Sequence, residues 1–277
     1  MSQPAKEPAE KAAPAGPVLL REDANGVATL TLNRPKQRNS LSEELMIALT
    51  REIEAIGKDA SVRAVVLAGA GPGFCAGHDL KELTAARASE DRGRAFFQNT
   101  MKLCSTLMQA IVNCPKPVIA RVHGIATAAG CQLVASCDLA VAAEEAKFAT
   151  PGVNIGLFCS TPMVALSRNV TRKHAMEMLL TGEMLSAARA AEMGLVNRVV
   201  PAAELDAAVA HFADIIASKS ALTVSIGKKA FYEQLEKPLA DAYDYASEVM
   251  VKNMLARDAE EGIGAFIEKR EPKWEDR

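Results

Sequence analysis

Two short segments combine small residues with groups able to do chemistry: Phe74 to Leu80 (Phe-Cys-Ala-Gly-His-Asp-Leu) and His123 to Gln132 (His-Gly-Ile-Ala-Thr-Ala-Ala-Gly-Cys-Gln). Small side chains leave main-chain N–H groups uncovered, and at a helix start the partial positive charge of the backbone favours an anion. Two such N–H groups aimed at one point make an oxyanion hole, which stabilises negative charge as it develops on a carbonyl oxygen. Taken singly, each segment reads equally well as a tight turn with close backbone packing.

Two other patterns carry less. Gly69, Gly71 and Gly73 suggest a dinucleotide loop, but the third glycine would have to stand at Phe74, and Pro72 removes an N–H that a phosphate cradle would use. His78 and Glu82 are four apart and could share a helix face, yet two ligands without a third do not make a metal site, so none is expected. The six cysteines form no C-x-x-C pair and lie in apolar stretches, which predicts reduced core thiols.

The elements that would position these segments follow from patterning. Asn25-Gly26 between two alternating runs, Val18 to Arg21 and Val27 to Leu32, predicts a β-hairpin. Ser40 with Glu43 resembles a capping box, and Leu45, Leu49, Ile53 and Ile56 mark one face of a helix to about Lys58. Strands are expected at 62–67, 117–122 and 139–142, with helices at 95–112 and across the small-residue stretch 128–136. From Pro201 onward strand signals stop, and helical patterns occupy about 202–218, 221–235, 239–256 and 258–269. The chain thus divides into an Ala/Pro-rich arm (1–17) expected to be disordered, an α/β core (18–201) and a helical C-terminal region (202–277).

Across 277 residues, 49% are hydrophobic and only 4% aromatic, so the core must be built from small aliphatic side chains that let backbones approach closely. A net charge of −2 supplies no field for a polyanion, which argues against nucleic acid as a partner. The longest charge-free stretches are too short and polar for a bilayer span, so no membrane role is expected. The arm has no Arg and two Glu, unlike an Arg-rich, acid-poor mitochondrial presequence, and a cytoplasmic location is the expectation.

Five segments in order give the chain a resemblance to the crotonase, or enoyl-CoA hydratase/isomerase, superfamily from about residue 18 to 274: 32–41, 74–80, 124–138, 186–201 and 261–270. A further stretch, Phe148 to Pro162, resembles one subgroup of it. The resemblance implies a spiral of ββα turns, a C-terminal helical region that mediates assembly into a trimer or dimer of trimers, and a site for acyl-CoA thioesters. It also implies lyase or isomerase chemistry within fatty acid metabolism, with no cofactor beyond the coenzyme A of the substrate. The thioester oxygen would accept the N–H groups of His78 and Ala129. Lys36, Arg38, Ser40, Ala76, His78, Asp79 and Leu80 would border coenzyme A, and Phe266 with Lys269 would reach it, often from a neighbouring subunit.

The family's hydratases move protons with two glutamates. By position these are Gln132 and Gly152 here, so ordinary hydration is expected to be slow, and carboxylates restored at both places should raise it if the pocket has room. Part of the pattern around Gly77 to Leu83 and Thr150 to Gly156 resembles the family's methylmalonyl-CoA decarboxylase, whose tyrosine appears as Cys159. Three readings stay open: an acyl-CoA enzyme of decarboxylase-like or other unorthodox chemistry, a hydratase or isomerase with different acids, and a non-catalytic acyl-CoA binder.

Overall fold

The computed structural model describes residues 16–277; most of the N-terminal arm expected to be disordered lies outside the described residues. Strands β1 (Leu19–Ala24) and β2 (Val27–Leu32) form the expected hairpin, with Ala24 paired to Val27 and both Asn25 and Gly26 at positive φ. Helix α1 (Glu43–Lys58) follows, capped by Ser42, whose side chain accepts from Leu45 N. The cap expected at Ser40 is therefore two residues early, because Ser40 is held elsewhere.

From here the chain repeats one unit: a strand in a large sheet, a tight turn, a short strand in a second sheet, then helix. The first turn is β3 (Ala64–Gly69), β4 (Gly73–Cys75), α2 (Leu80–Ala86) and α3 (Arg94–Asn113). The second is β5 (Val118–Val122), β6 (Ile125–Thr127) and α4 (Ala129–Ser136). The third is β7 (Leu139–Ala143), β8 (Lys147–Ala149), a 3₁₀ turn at Pro151–Ile155, α5 (Ser160–Asn169) and α6 (Arg172–Thr181). Then come β9 (Leu185–Ser186), α7 (Ala187–Glu192) and β10 (Arg198–Val200).

The large sheet has the order β1-β2-β3-β5-β7-β10, parallel from β2 onward, and the small sheet the order β4-β6-β8-β9, with β4, β6 and β8 parallel. Both faces of the large sheet are covered, so its central strands read as unbroken apolar runs. Val65, Leu67, Val118 and Ala120 pack with α1 and α3 on one side. Val66, Ile119 and Val141 meet Leu205, Val209 and Ala213 of α8 (Leu205–Ala217) on the other. The short strands β4, β6 and β8 left little trace in the sequence, because three residues cannot display a period.

Three further helices, α9 (Ala221–Gln234), α10 (Leu239–Met254) and α11 (Arg257–Glu268), complete the chain. They bury little of themselves: Met250, Met254, Ile263, Phe266 and Ile267 are all exposed. Among the described residues no single helix is long and apolar enough to cross a membrane. The layer is pinned to the spiral at one buried polar knot. Lys228 Nζ donates to Asp138 (2.7 Å) and to the carbonyls of Ile111 and Lys116, and Tyr232 donates to the other Asp138 oxygen at 3.0 Å. Burial, together with the Asp138 charge, keeps the Tyr232 hydroxyl protonated. Lys228→Met should strand the Asp138 carboxylate and cost about 3 kcal/mol in urea unfolding, whereas Tyr232→Phe, which leaves the ion pair, should cost about 1 kcal/mol.

Candidate active site

The carboxyl ends of β4, β6 and β8 lie side by side and point the same way, so the residues just beyond them gather at one place, where ligands of parallel sheets commonly bind. These residues are Ala76 to Asp79, Ala128 and Ala129, and Thr150 to Gly152. Backbone contacts set their spacing. Ala128 N donates to Ala149 O at 2.9 Å. A Cβ on Gly77 would lie 3.0 Å from Thr127 O and 3.4 Å from Ala129 N, so the Gly77 turn rests directly on the start of α4. Gly77 takes φ +93, which only glycine adopts without strain.

The main chain aims two N–H groups out of this junction. His78 forms an isolated parallel bridge with Leu41, in which Leu41 N donates to Gly77 O and Asp79 N donates to Leu41 O. Both bonds are made by its neighbours, so the N–H of His78 faces away from that bridge. Ala129 is the first residue of α4, where an N–H has no acceptor within the helix. Ala128 before it sits at φ 51, ψ −118, a conformation that costs a residue with a side chain on the order of 1–3 kcal/mol. This conformation starts α4 with Ala129 N only 3.4 Å from where a Cβ on Gly77 would stand. An oxygen bearing partial negative charge is the group such a pair can hold.

Apart from Asp79, whose carboxylate is paired with Arg34, the side chains at the junction are neutral. His78 is half-buried, its Nε2 is buried without a partner among the described residues, and burial pushes its pKa down to about 4. Gln132 is 4% exposed on α4, and its Oε1 accepts from the Cys104 thiol of α3 at 3.6 Å. Thr150 is fully buried with no partner for Oγ1 among the described residues. Cys159 caps α5, and burial pushes its thiol up against the opposing effect of the Gly152 N–H. All six cysteines are buried free thiols.

The loop residues expected to border coenzyme A separate into two groups. Lys36 and Arg38 are exposed, and Leu80 is 53% exposed. Ser40 and Asp79 face the protein instead. Arg34 pairs with Asp79 at 2.8 Å and donates to Ser40 O, while Ser40 Oγ donates to Asp79 at 3.3 Å. Burial pushes the Asp79 carboxyl up, but Arg34 and the Lys81 N–H outweigh it and hold it below the usual range. Ala76 N donates to Arg38 O. Sequence reasoning missed Arg34 and Asn39. The fully buried Asn39 side chain accepts from Arg34 N and donates to the carbonyls of Ala70 and Gly73, tying the loop to the turn between β3 and β4. An Asn in an otherwise charged loop was the available signal. Glu82 accepts from the Glu43 N–H at the start of α1. Phe266 (86% exposed) and Lys269 lie on and just past α11, which packs on α9 and α10 and not on the strand ends.

Fold and junction together define an α/β spiral protein whose tight glycine turn and helix start meet at the ends of parallel strands. The enoyl-CoA hydratase/isomerase family model matches residues 22–277, and the chain belongs to that family. It is 46% identical over 268 residues to the rat protein named enoyl-CoA hydratase domain-containing protein 3, mitochondrial, covering 95% of this chain and 88% of that one. A crystal structure of enoyl-CoA hydratase from Mycobacterium smegmatis superposes with a TM-score of 0.89 at 52% identity, covering 93% of this chain and 99% of that one. The crystal structure of human enoyl-CoA hydratase domain-containing protein 3 gives 0.88 at 47%, covering 93% and 100%. The subgroup resemblance read at Phe148 to Pro162 agrees with these relatives.

The same relatives correct the cytoplasmic expectation. The rat, human and mouse proteins are all named mitochondrial, and the cytoplasmic expectation does not stand against them. Import signals are read from the charge pattern of a short leader, and the composition of a 17-residue arm is too small a sample to decide against one.

Two predictions follow from the packing and the burial. A Cβ on Gly152 would lie 2.7 Å from Leu157 O and 2.9 Å from Cys159 Sγ, so the pocket has no room for a carboxylate arm. Gly152→Glu, alone or with Gln132→Glu, should therefore fail to raise crotonyl-CoA hydration, and Gly152→Ala should already lower stability by about 1–3 kcal/mol in denaturant unfolding. His78 takes up its proton near pH 4 in the folded chain but near pH 6.5 when unfolded. Between these values the unfolded state binds more protons, so stability is lost as pH falls below about 6.5. Urea unfolding of wild type and His78→Asn at pH 7, 6 and 5 should show a shallower decline in the variant.

Proposed function

We propose that the protein binds an acyl-CoA thioester, with the thioester oxygen accepting the N–H groups of His78 and Ala129, and stabilises the enolate formed at the α-carbon. The observation that carries this reading is the contact of the Gly77 turn with the start of α4, which sets Ala129 beside the residue that precedes His78. Each such donor, fixed before the reaction, lowers the barrier to enolate formation by about 3 kcal/mol. Exposed Lys36 and Arg38 would meet the phosphates of coenzyme A, and the Ala76 backbone and Leu80 its pantetheine arm. Arg34, Asn39, Ser40 and Asp79 would hold that border in shape.

Assembly is part of the proposal. The exposed apolar side chains of α10 and α11 suit burial against other copies of the chain, in a trimer or dimer of trimers, and Phe266 and Lys269 would then reach a neighbouring subunit's coenzyme A. The relatives named hydratases support a place among the lyases and isomerases of fatty acid metabolism.

Gln132 and Gly152 stand, on this reading, where hydratases of the family carry glutamates. An amide does not exchange a proton near neutral pH, and Gly152 has no side chain, so hydration lacks its acid and base. Loss of carbon dioxide from a malonyl-type thioester needs neither. The breaking carbon–carbon bond leaves its electron pair on the enolate that the two N–H groups stabilise. Asp79, the one carboxylate among the residues gathered at the strand ends, is tied to Arg34, and this favours the second reading over hydration.

Calorimetry with butyryl-CoA and a hydration assay on crotonyl-CoA test the proposal. Binding in the micromolar to low millimolar range is expected, with hydration at least ~100-fold below that of a two-glutamate relative, since general acid–base groups contribute about 10² to 10⁴ each. No binding of any acyl-CoA at millimolar concentration would remove the proposal, and hydration at the rate of such a relative would show that another residue moves the protons.

A further inference from the structure

The candidate site holds more polar side-chain atoms than one thioester oxygen can use. Two N–H groups suffice for that oxygen, yet the Thr150 Oγ1 and His78 Nε2 atoms are buried without partners among the described residues, and the buried Gln132 follows Ala129 by three residues on α4. A pocket made for a plain hydrocarbon chain would leave these groups unsatisfied, a cost that native interiors avoid. The surplus points to an acyl group that carries polar atoms of its own.

The Gln132–Cys104 contact specifies which polar atoms. Burial pushes the Cys104 thiol up to about 11, against a hydrogen bond with Thr161, so the thiol keeps its proton at neutral pH and donates it to Gln132 Oε1. With Oε1 occupied on the α3 side, the planar amide turns its NH₂ the other way. Gln132 is the fourth residue of α4, about 4.5 Å along the axis from Ala129. Helical side chains lean toward the N-terminus, so the amide reaches back over the turn where the Ala129 N–H emerges. The separation that results, a few ångströms, is that between oxygens on C1 and C3 of one acyl chain.

We propose that the site selects a CoA thioester bearing an acceptor oxygen on C3, held by Gln132 Nε2, and that Cys104 is the positioning residue that turns the Gln132 amide donor-side inward. The acceptor is a 3-oxo carbonyl or the carboxylate of a malonyl-type acid. This rests on the acyl-CoA reading above, and butyryl-CoA binding checks that reading separately.

Calorimetry with butyryl-, acetoacetyl-, malonyl- and 3-hydroxybutyryl-CoA provides the test. Acetoacetyl-CoA, malonyl-CoA or both should bind about tenfold tighter than butyryl-CoA, and the arm that gains identifies the acceptor. Gln132→Met should bring the ratio close to one. Cys104→Ala, which frees the amide to flip, should lower the ratio at least threefold, and Cys104→Ser, which keeps a donor, should restore it. Thermal melts of the three variants check folding, and if Cys104→Ala is unfolded the comparison of Cys104→Ser with Gln132→Met decides. The proposal is overturned if wild type binds all four equally, if the ratio survives Gln132→Met, if folded Cys104→Ser behaves like Gln132→Met, or if 3-hydroxybutyryl-CoA binds tighter than both acceptor ligands. Failure of every acyl-CoA, butyryl-CoA included, would instead count against the acyl-CoA reading itself.

Discussion

The structure depends on one close approach: the first turn of α4 lies directly against the backbone of β4. A Cβ on Gly130 would lie 2.0 Å from the Cys75 carbonyl oxygen, so no side chain of any kind fits between the two. This contact brings the start of a helix to the end of a neighbouring strand, and through it the Ala129 N–H to the Gly77 turn. The low aromatic content follows the same constraint. Backbones pack this closely only when the residues between them are Ala, Gly, Cys and Val, and the fully buried α4 sequence, Ala-Gly-Cys-Gln-Leu-Val-Ala-Ser, consists largely of them.

Around that contact the polar groups serve as braces. Arg34, Ser40 and Asp79 form a connected network in which the carboxylate is matched by a guanidinium and by backbone donors, the condition under which a buried charge is tolerable. Asn39 satisfies two carbonyls and one N–H that would otherwise be lost inside. The network holds the loop from Arg34 to Leu41 against the segment from Gly73 to Asp79, and so fixes the direction in which the His78 N–H faces. Lys228, Asp138 and Tyr232 do the corresponding work for the C-terminal helices. Their apolar faces stay uncovered within one chain, so a buried ion pair supplies the specific attachment that packing alone does not.

On the proposed reading, the site differs in kind from one that transfers protons. Its backbone donors would need no particular side chain, so the loss of nearby carboxylates would leave them in place. Gln132 and Cys104 form a neutral donor–acceptor pair, His78 is kept uncharged by burial, and the volume beside Gly152 is filled by Leu157 and Cys159. Such an environment stabilises charge that develops on an oxygen without taking part in its protonation.

How much of this was legible beforehand varied with the physical range of the signal. Helices α1, α3 and the four of the C-terminal region were readable because an apolar face repeated over three or more turns leaves a pattern, and β3, β5 and β7 because a strand buried on both faces is an unbroken apolar run. The Asn25-Gly26 turn was readable because few residues accept positive φ. The glycine and alanine segments at 74–80 and 124–132 announced close backbone approach and, with three other segments, the family. Only the tertiary structure decided the rest. The strands of three residues, the shift of the helix cap from Ser40 to Ser42 and the turning inward of Asp79 all depend on partners more than 20 residues away, which no local pattern records. Whether Gly152 had room for a carboxylate depended on the path of the chain through Leu157 and Cys159. That path is set by how the 3₁₀ turn packs, and spacing along the sequence carries no information about empty volume.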